Sequence, residues 1–445
     1  MKKIAIIGAG ITGLSIGYYL KKANIPFVIF EKSNRVGGVI HSEKHNDFII
    51  ERGPNTGVVA NVEIAELLEE INQITNVKYA DEKAKKRLIW KNGRWEALPS
   101  GPISAIKTPL FSLKDKLKVA GEAFRKKGNF EEETLAETVK RRLGESFLDY
   151  AIDPFVSGVY AGDPNYLITK YAFAKLYNLE EKYGSFIRGS IKIKKERSQK
   201  YNEKVTKKIF SFTNGLEDFP NTLQKIIGKE NIKLNSNIKI QYIDNNEFKI
   251  NNELFTDVIS TIKPDNLENI FPFVSKENLK SIKNLKYADI IEVSIGFKHW
   301  KGINLDAFGG LVPSKENKDI LGILFMSSQF KNRASHSGAT FSVFVGGIKK
   351  PEMISKTDDE LREIVSKNFC EMMGISDFNP DLFLISKHRR AIAQYGINTP
   401  KKLEAITNIE KQYKGMILGG SIKDGIGLAD RIAQAKKIAK RITND

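Results

Sequence analysis

The first 38 residues constrain the fold of this 445-residue chain more than any other stretch. A run of strand length at residues 3–7, apolar from Ile4 to Ile7, leads directly into a glycine-rich loop, and a helical pattern follows as far as Lys22. A second apolar run, residues 27–30, then leads to Glu31. This order of strand, glycine loop, helix and strand predicts a βαβ unit within a parallel sheet.

The glycine loop has the spacing of a dinucleotide-binding fingerprint. Gly8 permits the tight turn, Gly10 lets a pyrophosphate approach the backbone, and Gly13 allows helix and strand to pack closely. Glu31 lies eighteen residues beyond Gly13, where a carboxylate can accept hydrogen bonds from ribose hydroxyls. An ordinary glycine turn is the alternative, and the flanking strands and helix argue against it. The residues expected to contact the dinucleotide are Gly8, Gly10, Ile11, Thr12, Gly13 and Glu31.

The stretch after Glu31 distinguishes between cofactors. Residues 32–38, Lys-Ser-Asn-Arg-Val-Gly-Gly, resemble the second glycine motif of the superfamily of FAD-dependent amine oxidases, phytoene desaturases and protoporphyrinogen oxidases. The resemblance implies that FAD is the cofactor, that the chain runs beside its diphosphate, and that Arg35 adds a positive charge there. The further contacts implied by this motif are Lys32, Arg35, Gly37 and Gly38.

Length and composition limit the class of protein. The chain is longer than a single hydrophobic core usually accommodates, so we expect two or three domains. Cys370 is the only cysteine and the five histidines show no metal-ligand spacing, so we expect no internal disulfide and no metal site. No apolar run reaches the roughly twenty residues that cross a bilayer, and no secretory leader pattern precedes the first strand. The sequence therefore predicts a cytoplasmic protein.

The net charge of +18 indicates either a polyanionic partner or a general bias of the amino-acid composition toward lysine. The excess lysine is spread through an Asn- and Ile-rich chain and nothing resembles a nucleic-acid-binding module, so we expect no nucleic-acid partner. Residues 112–127 predict a basic amphipathic helix, which can either lie on an anionic membrane surface or cover a core with its basic side in water. On the first interpretation the protein is peripheral to the inner face of the cell membrane.

Two stretches narrow the resemblance to the protoporphyrinogen oxidase family. Residues 153–164, Asp-Pro-Phe-Val-Ser-Gly-Val-Tyr-Ala-Gly-Asp-Pro, are very similar to a string in that family, and no periodic core pattern requires them. Residues 86–99 predict a hairpin around Asn92-Gly93, similar to an Arg-aromatic hairpin of the family. By this resemblance Arg87 binds a propionate of a porphyrinogen substrate through two charge-assisted hydrogen bonds. Without the resemblance, an arginine at a strand edge is more often simply solvated.

Other resemblances supply the remaining candidate site residues. Residues 46–56 match a segment that passes close to the flavin, which makes Asn55 the candidate catalytic residue, although asparagine also suits a turn. Ile238 corresponds to an aliphatic residue near the adenine. The residues corresponding to the apolar side chains that sandwich the tetrapyrrole, with plain strand core as the alternative, are Leu311, Leu324 and Phe344.

The C-terminal strand, glycine loop and helix 428–442 correspond to the element that closes over the flavin. The resemblance implies that the helix N-terminus stabilises negative charge on the reduced cofactor. The residues expected to contact the flavin from this element are Gly420, Gly425, Ile426 and Gly427.

The whole pattern predicts an α/β (α+β mixed) fold: a Rossmann-like FAD-binding domain assembled from separated segments, a β-rich substrate domain and a helical membrane-facing lobe. The FAD-binding segments are 1–85, 209–264 and 396–445. The substrate-domain segments are 86–99, 165–208 and 265–395, and the helical lobe is 100–164. Within these segments, the strongly basic run 188–208 predicts a solvated, flexible loop.

By the same resemblance the chain oxidises protoporphyrinogen IX to protoporphyrin IX in three two-electron steps, with dioxygen or another electron acceptor. Ser421, Ala393 and the pair Asn398-Thr399 stand where the family commonly has Asn, Pro and Gly-His, which leaves the substrate open. Coproporphyrinogen III oxidation, a diverged amine oxidase or carotenoid desaturase, and a non-catalytic flavin- or porphyrin-binding protein are the alternatives. The oligomeric state is also open, with a homodimer among the choices.

Overall fold

A computed structural model describes residues 2–128, 132–197, 199–243 and 246–444 of the chain. The strands, numbered along the chain, are β1 (Ile4–Ile7), β2 (Phe27–Phe30), β3 (Ser42–His45), β4 (Phe48–Glu51), β5 (Gly57–Val58), β6 (Val77–Tyr79), β7 (Lys86–Lys91), β8 (Arg94–Ala97), β9 (Ile209–Phe212), β10 (Ile232–Lys233), β11 (Ile240–Ile243), β12 (Glu247–Ile250), β13 (Glu253–Phe255), β14 (Asp257–Ser260), β15 (Tyr287–Phe297), β16 (Ala307–Leu311), β17 (Ile320–Phe325), β18 (Ala339–Gly346), β19 (Leu382–Ala393) and β20 (Met416–Leu418).

The α-helices are α1 (Ile11–Lys22), α2 (Val62–Ile71), α3 (Pro102–Lys107), α4 (Leu113–Ala120), α5 (Leu135–Arg142), α6 (Glu145–Phe147), α7 (Asp153–Tyr160), α8 (Thr169–Ala172), α9 (Ala174–Tyr183), α10 (Phe186–Glu196), α11 (Gln199–Lys204), α12 (Asp218–Ile227), α13 (Leu267–Ile270), α14 (Lys276–Lys283), α15 (Met326–Gln329), α16 (Asp358–Met373), α17 (Thr399–Gln412) and α18 (Leu428–Asn444). A π-helical turn, Leu148–Ile152, joins α6 to α7. Short 3-10 helices include Gly121–Phe124 and Gly420–Ile422.

The first sheet is a five-stranded parallel sheet with the order β10-β2-β1-β14-β20. Its strands come from three stretches of the chain that are far apart in sequence, 4–30, 232–260 and 416–418. The central strand β1 is buried on both faces, as its uninterrupted apolar run predicts. Helices α1, α12 and α18 contribute to the core on one face, and the small sheet β11-β12-β13 with α14 and α17 covers the other. The predicted mixed α/β fold with a Rossmann-like unit is confirmed.

Because all five strands are parallel, their carboxyl ends meet at one edge of the sheet. The loops that leave this edge are 8–13 after β1, 31–38 after β2, 261–263 after β14 and 419–427 after β20. Ligands of such sheets bind outside the carboxyl ends of the strands. This edge therefore gathers the first glycine loop, Glu31, the second glycine motif and the C-terminal glycine loop.

The second large sheet has seven strands in the order β19-β15-β18-β17-β16-β7-β8. Its pairs are antiparallel except for β16 with β7, which is parallel. One face packs on α16 through alternate apolar residues of β15 and β18, such as Val293, Phe341 and Val343. The predicted hairpin is present as β7 and β8, and both Asn92 and Gly93 have positive φ, as the turn requires.

The region from 102 to 204 is mainly helical, and two expectations for it are wrong. The helix expected over 112–127 ends at Ala120 and continues only as a 3-10 turn. The basic run 188–208 is not a loop, because α10 and α11 occupy most of it. The buried carboxylate of Glu122 explains α10: it accepts the N–H groups of Phe186 (2.9 Å) and Ile187 (3.1 Å) at the helix N-terminus and pairs with buried Arg142.

The apolar side chains of α3, α4 and the following turn do not cover a core. Ile103, Ile106, Leu113, Leu117 and Phe124 are between 67% and 90% exposed. Of the helices in the described ranges, none is long and apolar enough to cross a membrane.

Candidate active site

The first glycine loop packs against its own strand and leaves one side open. A Cβ on Gly13 would lie 1.9 Å from the Gly8 carbonyl oxygen, so only glycine allows α1 to approach β1 this closely. A Cβ on Gly10 would meet nothing within 4 Å, and it would point into open space beside the start of α1. This helix has neither a side-chain cap nor an acidic residue in its first turn. The N-terminus that begins with Ile11 and buried Thr12 is therefore available to a phosphate.

Glu31 and the second glycine motif lie against this loop, as predicted. Glu31 Oε2 accepts the N–H of Ala9 (2.8 Å), while Oε1 accepts the N–H and hydroxyl of Ser33. The N–H of Gly37 donates to the carbonyl of Ala9 (2.9 Å), and a Cβ on Gly38 would lie 3.2 Å from the Cα of Gly10. The two glycine motifs thus form one continuous backbone surface at the sheet edge.

Arg35 makes hydrogen bonds to its own loop that the sequence did not suggest. Its guanidinium donates to the carbonyls of Val36 (3.1 Å), Gly38 (2.8 Å) and Ile40 (3.0 Å). Arg35 therefore holds the second glycine motif in shape, and its charge lies close to the surface that this motif forms. Lys32, in contrast, is exposed.

Ile238 is buried next to the Glu31 segment. The N–H groups of Asn235 (2.9 Å) and Ser236 (2.8 Å) donate to the carbonyls of Ser33 and Glu31, which aligns residues 235–238 with the segment after β2. Ile238 itself is 7% exposed. The structure therefore brings it to the end of the sheet edge where Glu31 lies.

The C-terminal glycine loop, residues 419–427, is held from behind by two buried side chains of α18. Arg431 donates to the carbonyls of Gly420, Lys423 (2.9 Å) and Asp424 (2.8 Å), and Gln434 accepts the N–H of Gly420 (2.8 Å). The hydroxyl of Tyr395 is within hydrogen-bond distance of the carbonyls of Ser421 (2.8 Å) and Gly425 (2.9 Å). The hydrogen bonds from Arg431, Gln434 and Tyr395 thus fix the shape of the loop. Ile426 is partly buried against the core of the five-stranded sheet.

Asp430 modifies the expectation for the N-terminus of α18. Its Oδ2 accepts the N–H of Gly427 at 3.2 Å, so one of the N–H groups expected to face the flavin is capped by a carboxylate. A Cβ on Gly425 would lie 2.5 Å from the same oxygen. The negative charge of Asp430 offsets part of the positive helix end.

Thr261 connects these loops, and sequence reasoning missed it. The Oγ1 of Thr261 donates to the carbonyl of Ile7 (2.9 Å). A Cβ on Gly8 would lie 2.9 Å from the same Oγ1. A Cβ on Gly420 would lie 2.8 Å from the carbonyl oxygen of Thr261. A threonine directly after a buried strand carries no distinctive signal, so only the meeting of four strand ends reveals its place.

Asn55 is buried in a polar network between the segment after β4 and the seven-stranded sheet. Its Nδ2 donates to Glu292 Oε1 (2.7 Å) and to the carbonyl of Gly53 (3.1 Å), while its Oδ1 accepts the hydroxyl of Ser342 (2.6 Å). Both ends of the Asn55 amide are therefore engaged by protein atoms, and the side chain has one orientation.

Glu292 is the second functional candidate that the sequence analysis missed. It is 2% exposed, and burial raises the pKa of Glu292 to about 8, with the charge of Glu51 adding to the effect and the hydrogen bond from Asn55 opposing it. At neutral pH this carboxyl therefore holds a proton. A glutamate in the apolar pattern of β15, between Ile291 and Val293, was the available signal, because charged residues are rarely buried without a partner.

Glu51 forms a second buried carboxyl site nearby. Its Oε1 lies 3.1 Å from Nη2 of Arg333 and accepts the N–H of Leu216 (3.0 Å), and Oε2 accepts the hydroxyl of Ser42 (2.5 Å). Burial raises the pKa of Glu51 to about 7, although the cation of Arg333 and the hydrogen bonds act in the opposite direction. Glu51 and Glu292 are thus two buried carboxyls that titrate near neutral pH.

The strand register brings the four predicted substrate residues onto one face of the seven-stranded sheet. One cross-strand row runs Ser386, Glu292, Phe344, Gly322, Leu311 and Ile89. The next row runs Leu384, Ser294, Ser342, Leu324, Gly309 and Arg87. This is the face opposite α16, and we call it the substrate face. It also carries Glu292 and Ser342, the two partners of Asn55.

Helix α7, which contains most of the diagnostic 153–164 string, packs over the substrate face. A Cβ on Gly158 would lie 2.4 Å from a methyl carbon of Leu311, so glycine allows the helix to approach the sheet. Asp153 anchors the start of the helix by accepting the N–H of Ser314 (2.7 Å) and pairing with Lys349. The string therefore has a packing role that explains its small residues.

Arg87 lies at the exposed end of this face. The carbon at the centre of its guanidinium is 5.6 Å from the centroid of the Phe308 ring. Phe344, Leu324 and Leu311 are each partly exposed rather than fully buried, unlike the residues of the opposite face. A cation at the end of an accessible apolar strip is suited to a flat apolar molecule that carries a carboxylate.

The parallel sheet with glycine loops at its carboxyl edge, together with the uncapped start of α1, defines a dinucleotide-binding fold. The model of the family described as flavin containing amine oxidoreductase matches residues 11–423. The chain belongs to this family. It is an oxidoreductase with FAD as its cofactor, and the open side of Gly10 with the uncapped start of α1 fits the FAD diphosphate.

Several curated and solved relatives align over almost the whole chain. Protoporphyrinogen oxidase 2, chloroplastic/mitochondrial, of Arabidopsis thaliana is 29% identical over 474 aligned positions, which cover 98% of this chain and 93% of that protein. Coproporphyrinogen III oxidase of Bacillus subtilis (strain 168) is 23% identical, covering 98% and 96%. A crystal structure provisionally named as a protoporphyrinogen oxidase of Exiguobacterium sp. 255-15 has a TM-score of 0.82 and 22% identity, covering 100% of this chain and 99% of that one.

Proposed function

We propose that this protein oxidises protoporphyrinogen IX to protoporphyrin IX in three two-electron steps, with dioxygen as the electron acceptor. Similarity to protoporphyrinogen oxidases along nearly the full chain supports a porphyrinogen substrate. The observation that carries the proposal is the strand register of the substrate face. It aligns Arg87, Leu324, Leu311 and Phe344 from four separate strands, although nothing in their local sequence requires this.

In this proposal the substrate face binds and orients the macrocycle. Leu311, Leu324 and Phe344 contact its apolar surface, and Arg87 binds a propionate through its planar pair of N–H donors. Helix α7 covers the Leu311 end of the face and excludes water from it. Binding of this kind favours the reaction by holding the reacting carbon in one geometry.

The cofactor would be held by the loops at the carboxyl edge of the five-stranded sheet. Gly8, Gly10 and Gly13 with the start of α1 would receive the diphosphate, Glu31 the ribose, and residues 420–427 the flavin end. When bound, FAD supplies the acceptor for the two electrons of each oxidation. Asn55 is a positioning residue in this proposal, because its amide is fully engaged with Glu292, Ser342 and Gly53.

The proposal is tested by porphyrin fluorescence on mixing the FAD-loaded protein with protoporphyrinogen IX in air. A protein-free sample measures autoxidation, and an anaerobic sample tests whether dioxygen is the acceptor. We expect rapid fluorescence growth only with protein and oxygen. Absence of any acceleration, with FAD bound, would favour a diverged amine oxidase or a non-catalytic flavin- or porphyrin-binding protein.

Coproporphyrinogen III is a second candidate substrate. The Bacillus subtilis protein, which is named for this reaction, aligns over 98% of the chain. The same assay run with coproporphyrinogen III at equal concentration distinguishes the two candidates, because the preferred substrate has the larger kcat/KM.

An anionic membrane surface is a proposed partner for the 103–124 apolar patch, which we define as Ile103, Ile106, Leu113, Leu117 and Phe124. These side chains are mostly in water. Lysines lie among them in sequence, including Lys107, Lys114 and Lys116. Exposed large apolar groups with neighbouring cations are typical of helices that lie in the interface of a bilayer.

A further inference from the structure

Lys402 is a buried lysine without a hydrogen-bond acceptor. It is 2% exposed, and its Nζ has no hydrogen-bond partner among the described residues. The ammonium nitrogen lies 4.4 Å from the centroid of the Tyr395 ring, which gives it a cation–π contact. A buried unpaired ammonium is costly, so this arrangement is expected to be stabilised by a negatively charged species.

A small cavity adjoins this lysine behind the C-terminal glycine loop. The space open to the centre of a water-sized sphere is about 10 Å³, which suits one water or one monatomic ion. Its described lining includes the side chains of Lys402, Lys286, Thr399, Asn398 and Ser281, and no carboxylate. The surrounding groups are therefore mainly cations, amides and hydroxyls, which can donate hydrogen bonds.

The N-terminus of α17 adds to the positive potential. The helix has 14 residues, its N-cap residue Asn398 makes no side-chain cap, and its first turn contains no acidic residue. The hydroxyl of Thr399, at the first helical position, is buried and has no partner among the described residues. A lysine in the first turn of a helix is unfavourable beside the helix dipole, and an anion at this end relieves both charges.

We propose that this cavity binds a small monovalent inorganic anion of the halide type, held by the ammonium of Lys402 and the hydroxyl of Thr399 beside the N-terminus of α17. The cavity volume excludes a polyatomic organic acid. Water is the competing occupant, because Gln394 also lines this cavity and its Oε1, which has no donor among the described residues, could accept a hydrogen bond from a water.

The site is connected to the flavin-contacting loop through one residue. Lys402 lies over the ring of Tyr395, and the hydroxyl of Tyr395 contacts the carbonyls of Ser421 and Gly425. An anion that keeps Lys402 charged strengthens its attraction to the Tyr395 ring. Anion binding should therefore stabilise the holoprotein and the loop.

The pH dependence follows from the surroundings of Lys402. Burial lowers the pKa of Lys402 to about 7 in the empty cavity, and the charge of Asp424 opposes this. The other charged or titratable groups near it are Tyr395, Lys286 and Tyr166. Since only the ammonium form attracts the anion, halide affinity should fall by up to about tenfold per pH unit above the pKa of Lys402.

The test measures the melting temperature of the FAD-loaded protein in sodium chloride, sodium bromide and sodium gluconate at equal ionic strength. We expect chloride and bromide to raise the melting temperature over gluconate by about 3 °C at a hundredfold excess over the dissociation constant. Lys402→Met should abolish this difference. Lys401→Met, which changes the exposed neighbour in the same helical turn, should retain it.

A bromide-soaked crystal of the unmodified protein provides an independent measurement if the Lys402 variant does not fold. An anomalous bromine peak beside Lys402 Nζ is expected. A water in that position, or equal melting temperatures in all three salts, would overturn the proposal. A halide effect that survives Lys402→Met would also overturn it, since the ion would then bind elsewhere.

Discussion

Glu292 combines deep burial with a hydrogen-bonded partner that holds it in place. In the folded chain the pKa of Glu292 is raised to about 8, whereas an unfolded glutamate titrates at about 4.3. Between these values the folded state retains a proton that the unfolded state has lost. The stability contributed by this group is therefore complete below about pH 4 and falls as the pH rises toward 8.

Glu292→Gln should remove this part of the pH dependence, because glutamine is similar to the protonated acid and keeps an acceptor for Asn55. We expect the free energy of unfolding of the variant to fall less steeply between pH 5 and 8, by up to about 1.4 kcal/mol per pH unit. Urea unfolding at several pH values measures the free energy of unfolding of each protein. Glu352→Gln, at an exposed position, is the control, and parallel curves for Glu292→Gln and the unmodified protein would contradict the prediction.

Arg87 permits a second test at a single side chain. If it binds a substrate carboxylate, Arg87→Ala should raise KM for the porphyrinogen by about tenfold or more, while FAD binding and stability change little. Steady-state fluorescence assays give KM and kcat separately. Arg94→Ala, which removes an exposed arginine from the same hairpin, should leave KM unchanged; equal effects at both positions would mean that general surface charge, not a specific contact, attracts the substrate.

The βαβ unit formed by β1, α1 and β2 depends on two glycines for different physical reasons. A methyl group on Gly13 would collide with the backbone of Gly8, whereas one on Gly10 would enter open space. Packing of the element thus requires Gly13, whereas we predict that Gly10 is needed for the close approach of the ligand.

Gly13→Ala should destabilise the protein by about 1–3 kcal/mol, because α1 must move away from β1. Gly10→Ala should fold with a stability within about 0.5 kcal/mol of the unmodified apoprotein yet retain much less FAD. Melting temperatures of the apoproteins and flavin absorbance after dialysis separate the two effects. Normal FAD retention by Gly10→Ala would show that the diphosphate lies elsewhere.

The distribution of charge and apolar surface over the whole molecule gives the last prediction. With a net charge of +18 and the 103–124 apolar patch in water, the protein should sediment with vesicles that contain anionic lipid and much less with neutral vesicles. Added salt should weaken this binding.

The triple variant Ile106→Ser, Leu117→Ser, Phe124→Ser should weaken vesicle binding by at least about tenfold, because several buried methylene groups are lost from the interface. Leu254→Ser changes an exposed leucine far from the patch in sequence and should bind normally. Unchanged binding of the triple variant would indicate that charge alone, distributed over the surface, attracts the protein to the vesicles.

Local sequence was sufficient for the features that local geometry controls. The 3–31 stretch predicted its two strands, helix and glycine turn because apolar periodicity and glycine placement act over a few residues. The Asn92-Gly93 turn follows from turn chemistry in the same way. The resemblance to known family strings then supplied the cofactor and the candidate substrate residues.

The helices of the basic run could not be predicted from composition. Lysines in that stretch indicated a solvated loop, but Phe186 and Gly189 are buried, and Glu122, more than sixty residues earlier, caps α10. The helix is stabilised by a partner that local patterns cannot contain. The same limitation applies to α4. Its sequence predicts an apolar side, but the pattern does not specify whether that side packs on protein or faces solvent.

The sequence by itself determined the FAD-binding unit, the alternation of strands and helices, and the family. Only the tertiary structure decided which side chains meet: the register of four strands aligns residues 87, 311, 324 and 344, and the packing of the segment after β4 on the seven-stranded sheet joins Asn55 to Glu292 and Ser342. It also decided the protonation of Glu292 and the unpaired state of Lys402. The physical reason is that register, burial and electrostatic environment are properties of contacts between distant segments, which no short stretch of sequence can specify alone.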